Sequence, residues 1–235
     1  VGHTDGKRRR DWILSPEPIP ASGDVPVVGV LALQGDFREH RVVLGRLGAV
    51  TREVRRLDDL ADLDGFVIPG GESTTIVKLM HEYALDDGIV ALAAAGTPVY
   101  GTCAGLITLS RESVEGGAQT LGLIDIVVRR NAFGRQVHSF EADLQMPVLG
   151  DAPVRAVFIR APWIERCGNG VRVLCSLQGH AVAAEQGQVL VTAFHPELTG
   201  DTRVHGYFLD KVRAHMAAGG DVVQNVTQLG RGVVR

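Results

Sequence analysis

From Val25 onward the chain alternates between short unbroken apolar runs and longer stretches in which apolar residues recur every three or four positions. "VVGVLAL" (27–33) is a continuous run of the kind that a parallel strand buried on both faces requires. "QGDF" breaks it, and Phe37, Val43, Leu44 and Leu47 then follow at helical spacing up to Gly48. "AVTREV" reads as a second strand and "GFVIPGG" (65–71) as a third, stopped by Pro69 and the glycines. Ser73 or Thr74 is placed to cap a helix that carries Ile76, Leu79, Met80 and Tyr83. "DDGIVALAAAG" reads as another helix, "TPVYG" as a strand, and "AGLITLSRE" as a helix that opens directly after Cys103. This alternation predicts an α/β fold with a doubly wound, mostly parallel sheet flanked by helices.

The second half has a different texture. "LGLIDIVVRR", "VRAVFIR", "VRVLCSL", "HAVAAEQ" and "QVLVTAFH" are short and rich in Val, and "EQGQ" has the look of a hairpin turn. They predict extra antiparallel strands that extend the sheet or form a flap. A last helix, "DTRVHGYFLDKVRAHM", sets Val204, Phe208, Leu209 and Val212 on one stripe. With no internal repeat, one domain is expected over residues 25–216. It would lie between a leader (1–24) rich in Pro, Gly and charge and a tail (217–235) without periodicity, both expected to be mobile.

Composition narrows the function classes. With 235 residues, 45% of them hydrophobic, the chain can bury a sizeable core. A net charge of -3 provides no general basic field for nucleic acid. No run approaches the roughly 18 apolar residues of a membrane span, so no membrane or nucleic-acid partner is expected. Three cysteines, at 103, 167 and 175, are too few for a disulfide framework, and no C-x-x-C or H-E-x-x-H spacing offers a metal site. The expectation is small-molecule chemistry in the reducing cytoplasm, without metal or cofactor, with Cys167 and Cys175 structural.

Cys103 raises a sharper question. A free cysteine is often a small buried hydrophobe. Yet Gly101, Cys103 and Gly105 form G-x-C-x-G at a strand-to-helix junction, the spacing of a nucleophile elbow. Glycines on either side let the turn be sharp, and the free N–H groups of the following helix favour a thiolate. Among the eight histidines, His40, His81, His205 and His215 fall in expected helices and read as structural. His195 differs: it ends an apolar strand, in "FHPEL", and Pro196 disfavours a helical conformation for it. In extended chain Glu197 projects to the same side as His195, where it can orient the imidazole as a base for Cys103. In "IPGGESTT", the N–H of Gly71 together with that of Ala104 could form an oxyanion hole. An ordinary Gly-rich turn remains the other reading.

Gly-x-Cys-x-Gly after a strand, followed late by His-Pro-Glu, resembles the triad-type (class I) glutamine amidotransferases. "LALQGDFREH", "PGGESTT", "GTCAGLI", "RNAFGRQVHSFEADL", "VFIRAP" and "FHPELTGD", in that order, resemble the glutaminase subunit of pyridoxal 5'-phosphate synthase, the PdxT family. The resemblance implies a flavodoxin-like fold and hydrolysis of L-glutamine to glutamate and ammonia. Cys103 would be the nucleophile, His195 base and then acid, and Glu197 its orienter. Gly71, Glu72, Ser73, Arg130, Ile159 and Arg160 would contact glutamine, and ammonia would pass to a PdxS-type synthase subunit in a hetero-oligomeric complex. It also implies activation on docking, with the "ALQGDF" and "PGGEST" turns as sensors. The leader and the tail have no counterpart in the resemblance. Taken without it, Arg129, Arg130 and Arg135 read as a solvated basic cluster. A glutaminase for another synthase, a non-catalytic binding protein on this fold and a cysteine hydrolase are the competing readings.

Overall fold

The structure, a computed structural model, describes residues 25–116, 120–133 and 139–219. The expected leader, the tail from 220, and Arg135 within the "RNAFGRQ" block lie outside the described residues. In the first half β1 (Val27–Leu31), α1 (Phe37–Arg46), β2 (Val50–Val54), β3 (Gly65–Ile68), α2 (Ser73–Glu82), α3 (Leu85–Ala94), β4 (Val99–Thr102) and α4 (Ala104–Leu109) alternate as the apolar pattern requires. The second half holds β5 (Ser110–Ser113), β6 (Ile124–Arg129), β7 (Ser139–Leu144), β8 (Val154–Ile159), β9 (Trp163–Cys167), β10 (Arg172–Leu177), β11 (His180–Gln186), β12 (Val189–Thr192) and α5 (Arg203–Ala217).

Nine strands run in the order β2-β1-β3-β4-β12-β11-β9-β6-β5, with β10 paired to β11. The first five are mutually parallel, and β11 then turns antiparallel against β12 through the hairpin at "EQGQ". The order 2-1-3-4-12 is that of a flavodoxin-like sheet, whose ligands bind outside the carboxyl ends of the strands. Both expectations for the second half are met. β11, β9 and β6 extend the sheet in antiparallel fashion, while β7 and β8 form a separate two-stranded sheet.

The central parallel strands are covered on both faces: all of β3, β4 and β12 is buried, whereas β2, at the sheet edge, is only partly so. On their flanks α1 packs with α5, and α2 with α3 and α4. The stripe expected on the last helix is the buried one, with His205 added to Val204, Phe208, Leu209 and Val212.

Two expectations need correction. The helix after Cys103 does not run through "SRE" but stops at Leu109. Ser110 is extended, and its Oγ donates to the Ile107 carbonyl (2.7 Å), the local competition by which serine ends helices. Helix α2 is capped not by Ser73 or Thr74 but by Glu72, whose carboxylate accepts from the N–H groups of Thr74 (3.1 Å) and Thr75 (2.7 Å). Strands β5, β7 and β9 have no counterpart in the apolar pattern. β7 alternates exposed and half-buried positions until Leu144, so it carries little hydrophobic signal.

Candidate active site

Four parallel strands deliver their following loops to one cleft. Gln34 and Asp36 follow β1, Gly71 and Glu72 follow β3, Cys103 follows β4, and His195 follows β12. The cleft has a volume of about 340 Å³ and is lined by Gln34, Asp36, Gly71, Glu72, Ser73, Cys103, Ala104, Ile107, Arg130, Asn131, Ile159, Arg160 and His195. Every residue singled out in the sequence as nucleophile, base, oxyanion donor or glutamine contact is therefore on one wall or another. Glu197 alone stands behind His195, with a fully buried side chain.

Cys103 sits at the turn with φ 48° and ψ -99°, a backbone conformation in which L-residues are strained. The elbow's glycines have a steric cause. A Cβ on Gly105 would stand 2.1 Å from the Ile68 carbonyl oxygen, and one on Gly101 2.6 Å from the Gly105 carbonyl. Cys103 N–H donates to the Thr192 carbonyl (2.8 Å), fixing the elbow to β12, and its Sγ lies 3.8 Å from the Ile159 carbonyl on β8. The backbone of His195 donates to Val157 of the same strand (2.8 Å). Strand β8 thus brackets Cys103 and His195 together.

His195 Nδ1–H donates to Glu197 Oε1 at 2.7 Å. Pro196 to Leu198 form a single 3₁₀ turn, so the pairing is made across this turn and not along extended chain, as the sequence had led us to expect. A second carboxylate, Asp36, brings Oδ2 to 3.4 Å from the same Nδ1. Burial opposes a charge on His195, but hydrogen bonding with Asp36, Cys103 and Glu197 outweighs it and raises its pKa to about 12. With Nδ1 held by carboxylates, Nε2 is the nitrogen left for the thiol. Burial opposes charge on Glu197 too. Electrostatic attraction and hydrogen bonding from His40 and His195 win, and they hold its carboxyl well below the usual carboxylate range.

Ala104 is the first residue of α4, so its N–H has no acceptor within the helix. The Gly70 carbonyl accepts from Asp36 N–H (3.1 Å), which ties the Gly70–Gly71 peptide to the loop after β1. A side chain at Gly71 would meet Gln34 Oε1 at 2.4 Å, and that oxygen also accepts from Glu72 N–H (2.8 Å). Arg130 reaches Glu72 (3.7 Å) and Thr74 Oγ1 (3.4 Å), and its own N–H is held by Glu115. The arginine is thus drawn to the cleft wall, whereas Arg129 pairs on the surface with Glu165.

Sequence reading passed over Gln34 and Asp36, which lie inside the "LALQGDF" block but whose roles depend on folding. It also read His40 and His205 as structural. Among the described residues, Asp36, His195 and Glu197 are the three donors close enough together to hold a metal ion. Both carboxylates already face the His195 Nδ1 proton, so a cation there would have to displace it.

A family model described as the SNO glutamine amidotransferase family matches residues 30–214. A protein of Pelotomaculum thermopropionicum named pyridoxal 5'-phosphate synthase subunit PdxT is 59% identical over 188 residues, 80% of this chain and 96% of the relative. One of the same name from Streptomyces avermitilis is 55% identical over 194 residues, 82% of this chain and 96% of the relative. A crystal structure described as a glutamine amidotransferase superposes with TM-score 0.75 at 50% identity, covering 79% of this chain and 98% of the other. A putative GMP synthase protein from Thermoplasma acidophilum, at 17% identity and TM-score 0.60 over 84% of this chain and 98% of the other, shares the fold. The chain belongs to the SNO glutamine amidotransferase family.

Proposed function

We propose that this chain is the glutaminase subunit of a pyridoxal 5'-phosphate synthase, hydrolysing L-glutamine through Cys103, His195 and Glu197 and passing ammonia to a synthase subunit. The observation that carries the chemistry is the alignment of a strained elbow cysteine, a buried imidazole and a buried carboxylate at the carboxyl ends of adjacent parallel strands. The relatives carry the name of the complex.

In the proposed cycle His195 Nε2 takes the Cys103 thiol proton as Sγ attacks the side-chain amide carbon of glutamine, and the oxyanion is met by the N–H groups of Gly71 and Ala104. His195 gives a proton to the departing ammonia, leaving a thioester. It then takes a proton from water as the hydroxide oxygen attacks the thioester carbon, and passes that proton to the departing Sγ, releasing glutamate and restoring the thiol. Glu197 keeps Nδ1 protonated and the ring oriented in both halves. Arg130 supplies a donor for the glutamine α-carboxylate. Glu72, with its carboxylate engaged as a helix cap, contributes shape and its remaining lone pairs. Ser73, Ile159 and Arg160 complete the substrate wall.

Docking of a PdxS-type partner would act through the loops after β1 and β3. The bond from Asp36 N–H to the Gly70 carbonyl couples these two loops, so moving one reorients the Gly70–Gly71 peptide. No described helix is long and apolar enough to cross a membrane, and all three cysteines are unpaired, which supports a reducing, cytoplasmic setting. A glutamine-mimicking electrophile should label Cys103 alone among the three cysteines, with glutamine protecting it. Labelling at Cys167 or Cys175 instead, or no protection, would overturn the assignment.

A further inference from the structure

The buried polar cluster does not end at Glu197. His40, on α1, is wholly buried, and its Nε2 lies 3.1 Å from Thr102 Oγ1 and 3.5 Å from Glu197 Oε2. Its Nδ1 lies 2.9 Å from Nε2 of His205 on α5, also wholly buried. Glu197 Oε2 is buried without a hydrogen-bond partner, and His40 Nε2 at 3.5 Å is the basic nitrogen that faces it. A buried carboxylate with one oxygen on His195 therefore presents its other oxygen to a single imidazole.

The protons in this chain can be placed. Burial pushes the His205 pKa down to about 3, so the ring is neutral and carries one N–H. His205 Nδ1 has no partner. An orphaned buried N–H is rarer and costlier than an unused lone pair, so the proton belongs on Nε2, which donates to His40 Nδ1. With Nδ1 accepting, His40 carries an N–H on Nε2, which lies 3.1 Å from Thr102 Oγ1 and points toward the unpaired Glu197 Oε2 at 3.5 Å. Both directions of the chain converge on the carboxylate.

We propose that His40 is a positioning residue of the glutaminase reaction: its Nε2–H, oriented by His205, holds Glu197 Oε2 and thereby keeps Oε1 on His195. This rests on the reading of Cys103, His195 and Glu197 as the catalytic groups. His40 touches neither the cleft nor substrate. Its effect is to stop the carboxylate from rotating away from Nδ1 as the imidazole gains and loses a proton.

Two side chains separate positioning from packing. In His40→Gln the amide nitrogen reaches the place of Nε2 and can still donate to Glu197. In His40→Asn it reaches only the place of Nδ1, facing His205. Ammonia release from L-glutamine is measured for each, and for His40→Leu, in complex with the synthase subunit. His40→Asn and His40→Leu are expected to lose roughly 10- to 100-fold in kcat with KM for glutamine unchanged, while His40→Gln retains most of the activity. Equal losses in the Gln and Asn variants, or a loss confined to KM, would overturn the proposal. Imidazole nitrogen NMR of the wild-type protein gives a readout that needs no variant: His40 should be protonated at Nε2, and a neutral Nδ1–H form would be equally fatal. Should the wild-type complex release no ammonia, or Cys103→Ala release it undiminished, the triad reading fails instead.

Discussion

At the scale of single residues, the most exacting fit is between Gly70 and the ring of His195. A Cβ on Gly70 would stand 2.3 Å from His195 Cε1, so the imidazole occupies the space that a side chain would need. Gly70→Ala should push the ring off Glu197 and lower kcat by about 100-fold, the usual scale for displacing a catalytic group by about 1 Å. Circular dichroism should show the fold intact, and a fully active Ala variant would contradict the geometry. The meeting of Cys103, His195 and Glu197 was legible in the sequence because each sits in a short pattern with a mechanical meaning: the elbow glycines, and a proline that keeps the preceding His195 out of helical conformation. His40, His205 and Asp36 were not. They approach the site from other elements, and a histidine within a helical stripe looks the same whether it packs or holds a carboxylate.

At the scale of elements, the N-terminus of α2 offers a test that pH can read. Glu72 holds its carboxyl at about 2 against an ordinary 4.5, chiefly through the Thr75 hydroxyl and then the Thr75 and Thr74 N–H groups. Glu72→Ala should cost about 0.5–2 kcal/mol, as loss of a helix cap does. Because the folded pKa is depressed, this stabilisation is complete above the unfolded value and is lost as pH falls through about 2. The difference in Tm between wild type and Glu72→Ala should accordingly shrink from about pH 5 down to about pH 2. A gap that stays constant would show that the carboxylate is not the cap. Gly105→Ala should be more severe, since its Cβ meets backbone at Ile68 and not a movable side chain. Thermal unfolding well below wild type is the expected result, and an unchanged Tm would refute it. β1, β3 and β4 could be read from unbroken apolar runs because those strands are buried on both faces. β5 and β7, polar and partly exposed, gave no such run, and pairing with β6 and β8 makes them strands.

At the scale of the whole molecule, the sheet order gathers loops from β1, β3, β4 and β12 at one edge, and the two-stranded sheet of β7 and β8 closes the site from the other side. Separate stretches of sequence thereby become one cleft, and the coupling of its first two loops gives a docking partner something to move. If docking orders the oxyanion peptide, ammonia production from glutamine by the free chain should be much slower than by the complex, and equal rates would remove the gating role from those loops. The central claim is that Cys103 is the nucleophile of a glutaminase. Ammonia released from L-glutamine in the presence of the synthase subunit, compared between wild type and Cys103→Ala, tests it most directly. Release by the wild type and none above background by the variant is the expected result; release that survives the substitution would show that Cys103 is not the nucleophile.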